Sequence, residues 1–88
     1  MSPLGRLYRT EYARLRARFP DQDPLEQDRY ILLIFALAFL DADAEELAQA
    51  MVEGTAGDGS PRGTVFPSTA RESAERAIAQ ARKTMDTP

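Results

Sequence analysis

Residues 30–40 read Tyr30-Ile31-Leu32-Leu33-Ile34-Phe35-Ala36-Leu37-Ala38-Phe39-Leu40, eleven residues whose only polar group is the Tyr30 hydroxyl. The run is bounded by Arg29 and Asp41. Leu and Ala dominate it and no turn residue interrupts it, so its composition and length favour helix over strand. A helix that is apolar on every side is expected to be enclosed on every side, by its own chain or by a second copy. It is far shorter than the roughly 20 residues needed to cross a bilayer, so no membrane partner is expected.

Upstream, Asp23-Pro24 pairs a capping side chain with a proline at the first helical position, and predicts a helix over 24–40. Ser2-Pro3 repeats that start and opens a helix over 3–19. Its apolar residues Leu4, Leu7, Tyr8, Tyr12, Leu15 and Phe19 draw one stripe at helical spacing. Pro20 ends it, because the residue before proline avoids the helical region.

Downstream, Asp41-Ala42-Asp43-Ala44-Glu45-Glu46 places four acids where a helix N-terminus favours negative charge. Asp43 and Glu46 have capping-box spacing. A third helix is predicted over 42–53, with Leu47, Ala48, Met51 and Val52 inward and Gly54 as its stop. Residues 54–67 hold four Gly and two Pro and read as a long loop. The spacing of Thr69 and Glu72 starts a fourth helix over 69–85, whose stripe is almost all Ala. The expectation is an all-α fold: one domain over 1–88, a small four-helix bundle with a long Gly/Pro-rich loop between helices three and four.

Composition closes off much chemistry. The 88 residues contain no Cys and no His. Disulfides, Cys/His zinc sites, haem ligation by those residues, thiol nucleophiles and His-based triads are excluded. No cofactor or metal is expected. Asp41-x-Asp43-x-Glu45 suggests a calcium loop, but the Gly and the bidentate Glu that an EF-hand needs fall on Glu46 and Val52. Gly57 to Gly63 matches neither phosphate-loop pattern. The remaining acids sit at helix starts and in loops, where water hydrates them, so an enzyme is not expected. The N-terminus shows no apolar leader segment, and the expected location is the cytoplasm. Ten Arg against one Lys, with fourteen Ala, is the bias of a GC-rich bacterial or phage genome.

Charge is partitioned along the chain. Residues 1–19 carry net +4, residues 20–58 net −9 and residues 59–88 net +2. The acidic middle leads to the primary functional expectation, a non-enzymatic protein–protein interaction module: an adaptor, regulator or inhibitor, of phage or mobile-element type. It would act through an acidic helical surface that steers association with a basic partner. Its candidate contacts are Asp41, Asp43, Glu45, Glu46 and Glu53, with Val65 and Phe66 of the loop as an apolar addition. Helix two has more apolar circumference than the other helices can cover, so a homodimer is also expected.

The alternative is a nucleic-acid binder. Arg6, Arg9, Arg14, Arg16 and Arg18 on helix one would contact phosphates, and Tyr8 or Tyr12 would stack on bases. An overall charge of −3 argues against it. A helix-turn-helix built from helices two and three is excluded, because the recognition helix would carry acids and no base.

Overall fold

Ser2 and Asp23 act as the sequence indicates. In a computed structural model of the chain, which describes residues 2–55 and 67–86, the Ser2 hydroxyl accepts the Gly5 N–H at 3.1 Å. The Asp23 carboxylate accepts the Leu25 N–H at 3.0 Å. Each is followed by a proline at the first helical position. These starts open α1 (Pro3–Arg18) and α2 (Pro24–Ala38), followed by α3 (Ala44–Thr55) and α4 (Pro67–Asp86). The described residues are all-α, with no strand among them.

Helix α3 is the spine of the bundle. It packs along α1 on one side and α4 on the other, while α2 leans chiefly on α4 and touches α1 and α3 more lightly. The core consists of Tyr8 and Tyr12 from α1, Ile31, Leu32, Phe35 and Ala36 from α2, Leu47, Ala48, Ala50 and Met51 from α3, and the Ala stripe of α4. Tyr8 meets Phe35 edge-on, ring centres 5.8 Å apart, and Phe35 meets Phe39 edge-on at 5.6 Å.

Helix boundaries shift where long-range packing outweighs local signals. Helix α2 ends at Ala38, not at residue 40: Phe39 takes a non-helical conformation, φ −118° and ψ 75°, and its carbonyl accepts the Ala42 N–H at 3.0 Å to turn the chain. Helix α3 starts at Ala44 and runs through Gly54 to Thr55, so Gly54 does not stop it. Helix α4 starts at Pro67, which suits the first position because it has no N–H to leave unsatisfied, and Thr69 lies inside the first turn instead of ahead of it.

The apolar run is only partly covered by the other described helices, as their limited apolar bulk leads one to expect. Ile31, Leu32, Phe35 and Ala36 are buried, and Leu33 and Leu37 are half-buried against the core. Tyr30 and Ile34 are 55% and 42% exposed, and Phe39 and Leu40 also face outward. The other described helices cover only one side of the rod, because α1 lies mainly against α3 and the Ala side chains of α4 are too short to wrap around α2. Leu7 and Phe19, expected inward, are likewise about half exposed, since the buried face of α1 is centred on Gly5, Tyr8 and Tyr12.

Candidate functional site: the outward face of α2 and the acidic turn

Tyr30 and Ile34 are exposed on the outward side of α2, and Leu33 and Leu37, half-buried against the core, recur beside them at helical spacing. They form a second apolar stripe beside the buried one. Its N-terminal end runs into a groove between the end of α1 and the start of α2. Leu15, Phe19, Tyr30 and Leu33 line the groove, with Arg18, Arg29, Asp21 and Glu26 at its rim. Phe19 is 50% exposed there. Arg29 holds Glu26 at 2.9 Å, an exposed pair that contributes little to stability.

The walls of this groove are held by a buried amide. The Gln27 side chain, fully enclosed, donates to the carbonyls of Leu15 (3.2 Å) and Phe19 (3.1 Å). Both carbonyls already accept a backbone donor, Leu15 from the Phe19 N–H at 2.8 Å and Phe19 from the Gln22 N–H at 3.1 Å, so the amide adds a second bond to each and ties α2 to the end of α1. Its oxygen accepts from Arg16, which also donates to the carbonyls of Gln22 at 2.9 Å and Pro20 at 3.4 Å. Arg16 therefore staples the α1–α2 connector.

At the other end of α2 lies the acidic turn. Asp43 is the cap of α3: its carboxylate accepts the Glu46 N–H at 2.9 Å and its carbonyl the Leu47 N–H at 3.1 Å. Asp41, Glu45 and Glu46 are exposed around it, directly after the exposed Leu40. Arg82 and Met85 of α4 lie across a shallow depression from this turn.

Glu53 stands apart from that cluster, two turns further along α3. It accepts the Ser2 N–H at 2.8 Å, the Ser2 hydroxyl at 3.0 Å and the Gln49 amide at 2.9 Å. Its carboxylate ties the start of α1 to α3, a role that sequence spacing could not reveal. The Ser2 backbone N–H, then the Gln49 amide, hold its pKa below the ordinary glutamate value. A carboxylate so depressed contributes stability that is fully present above its unfolded pKa and is lost as the pH falls through the lower folded one. The Ser2 and Gly5 amide resonances are accordingly expected to move as the pH is taken down through the carboxylate range. In Glu53→Gln that titration step should vanish, and its persistence would assign the acid response to another group.

The five arginines of α1 do not form one surface. At 100° per residue they spread over an arc of roughly 200°, and Arg16 is committed to the connector. Arg14 pairs with Glu11 at 2.6 Å, while Arg6, Arg9 and Arg18 are exposed. Tyr8 and Tyr12, the expected stacking platforms, are 0% and 3% exposed and cannot meet a base. Val65 and Phe66 lie outside the described residues. No cluster of three or more metal-binding side chains occurs among the described residues, and no described helix is long and apolar enough to cross a membrane.

No protein-family model, curated protein or solved structure matches the chain.

Proposed function

We propose that this chain is a non-enzymatic protein-interaction module that docks through the outward face of α2, with the acidic turn at Asp41, Glu45 and Glu46 steering the approach. The supporting observation is that the most apolar segment of the chain leaves Tyr30 and Ile34 about half exposed, in one row with Leu33 and Leu37. Burying a side chain of that size completely is worth about 1.5–3 kcal/mol, so the row has a substantial contact energy in reserve. Apolar anchors rimmed by charge are the usual anatomy of an interface centre, and Tyr is enriched among the residues that dominate binding. Exposed acids add rate and orientation more than affinity.

Compared with the acidic surface read from sequence alone, the contact moves toward α2 and drops Glu53, whose carboxylate holds Ser2. No observation favours the nucleic-acid reading.

The test is affinity capture with the wild-type chain and with Ile34→Glu. Ile34 is exposed, so the variant is expected to keep the wild-type far-UV circular dichroism and urea midpoint while capture of its protein partner falls by about tenfold or more. Equal capture by a folded Ile34→Glu chain would remove α2 as the contact. Glu45→Lys/Glu46→Lys should slow association and flatten its salt dependence without changing the fold.

A further inference from the structure

We infer that the depression between the acidic turn and the end of α4 receives a basic segment of a partner protein: an apolar side chain seats on Leu40 and Met85, and arginine or lysine beside it meets Asp41, Asp43 and Glu75. The inference rests on the interaction-module reading and deepens it, by giving the acidic turn a pocket and the partner a chemistry.

The hollow arises from where the helices stop. Helix α2 ends at Ala38, and the turn at Phe39 puts Leu40 outward, where it is 62% exposed. Helix α4 runs on to Asp86 and brings Met85, 55% exposed, to the same hollow. Its floor is built from the buried Ala36 and Ala81 and the half-buried Ile78. The short alanine side chains cannot fill the space between the helices, and about 490 Å³ is left open. That lies within the range of about 300–1,000 Å³ usual for ligand pockets. Two large apolar side chains held open to water at one hollow form a contact of the kind that marks an interaction site.

Charge at the rim indicates what flanks the anchor. Asp41, Asp43 and Glu75 line the hollow against Arg82, the only base among the described residues that do. Asp43 keeps its charge while it caps α3, and the Arg71–Glu75 pair, 3.3 Å apart and more than half exposed on both sides, is worth little. The end of α2 acts in the same direction. Ala36 and Leu40 bring it to the hollow, its last carbonyls carry partial negative charge, and no base stands in its last turn to offset them. A cation from outside is therefore favoured both by the carboxylates and by the helix end, and an acidic partner is repelled by both. The apolar anchor supplies the affinity and the charges orient it. One anchor with its flanks is smaller than a standard interface, so dissociation in the range of about 0.01–1 mM is expected.

The test is a nuclear magnetic resonance titration of the isotope-labelled full chain with a blocked peptide in which arginines stand on both sides of a Leu-Phe pair. The amide signals of Leu40, Asp41, Ala42, Ile78 and Met85 are expected to move. Peptides with Glu in place of Arg, or with Ser in place of the Leu-Phe pair, should each bind about tenfold or more weaker. Asp41→Lys/Glu75→Lys and Met85→Ser, all at exposed positions, should keep the wild-type circular dichroism and each weaken the arginine peptide by about fivefold or more. Signals that stay still at millimolar peptide, or that move only elsewhere, overturn the pocket. Equal binding of the Ser peptide overturns the apolar anchor, and equal binding of the Glu peptide overturns the basic partner. Affinity capture separates this site from the α2 face. A partner lost by Ile34→Glu but kept by Asp41→Lys/Glu75→Lys/Met85→Ser leaves the α2 face standing and removes the hollow, whereas the opposite pattern supports the hollow and removes the α2 face.

Discussion

Replacing Gly54 with alanine is expected to destabilise the domain, although alanine is the better helix former. Gly54 lies one residue from the end of α3 and is buried against α1. A Cβ placed there would stand 2.7 Å from Tyr8 Cδ1, 2.8 Å from Tyr8 Cβ and 3.0 Å from the Arg9 backbone nitrogen. Two of those three atoms are backbone or next to it, so relief requires moving α1 away from α3, and α1–α3 is the most extensive helix pair of the fold. The Tyr8 ring cannot swing aside either, since its hydroxyl is bonded to Asp28 and its ring packs edge-on against Phe35.

The two opposing effects can be ranked. Glycine to alanine in a helix interior gains at most about 1 kcal/mol of propensity. Overpacking a well-filled site costs about 1–3 kcal/mol, and this site offers backbone instead of a flexible tip. Gly54→Ala should therefore lose roughly 1–2 kcal/mol net. Gly54→Leu should lose several times that, enough to unfold much of a domain whose total stability is on the order of 5–8 kcal/mol. Urea unfolding followed by circular dichroism reads this directly. A higher midpoint for Gly54→Ala would mean that propensity governs the position and that the close approach of the two helices is absent.

Gly54 also shows where reading a chain in one dimension stops. Read locally, a glycine after an amphipathic stretch is a helix stop, and the same residue is in fact the gap that lets two helices touch. The local signals that held are those whose partners lie within four residues: Ser2 with Gly5, Asp23 with Leu25 and Asp43 with Glu46. Such bonds depend on helix geometry alone, so spacing reveals them. Gln27, Asp28, Arg16 and Glu53 all take partners from another helix or connector, and nothing in their neighbours marks them out. A polar residue inside a helical period reads as solvated until the facing element is known. The apolar run was legible as a helix, and the Ala stripe of the fourth helix showed that its neighbours had too little bulk to wrap it; which of its sides stays open was not legible, because that depends on where the other helices sit.

Tyr8→Phe is expected to cost about 1.5–3 kcal/mol, the range for losing a hydrogen bond to a charged or strongly polar partner inside a protein. The phenol of Tyr8, fully enclosed, donates to Oδ1 of Asp28, which is 2% exposed. A buried carboxyl on the mostly apolar inner face of α2 is tolerated only if its polarity is met from within. Helix α2 leans chiefly on α4, and this bond with the Gln27–Arg16 staple adds the polar contacts that hold it against α1 and so help set the direction in which Tyr30 and Ile34 point. Removing one partner is worse than removing both. Asp28→Leu alone encloses a phenol without its acceptor, while Tyr8→Phe/Asp28→Leu replaces the pair with apolar groups of similar size, a change that is often close to neutral. The double variant should therefore be more stable than the sum of the two single losses predicts, by about 1 kcal/mol or more, in a urea double-mutant cycle at neutral pH. The fold is expected to survive the double change while specificity suffers: without the polar contact to fix its rotation, α2 can turn, and binding through its outward row should weaken more than stability does. Strictly additive losses would show that the two groups do not interact in the folded chain, and would leave the orientation of α2 to apolar packing alone.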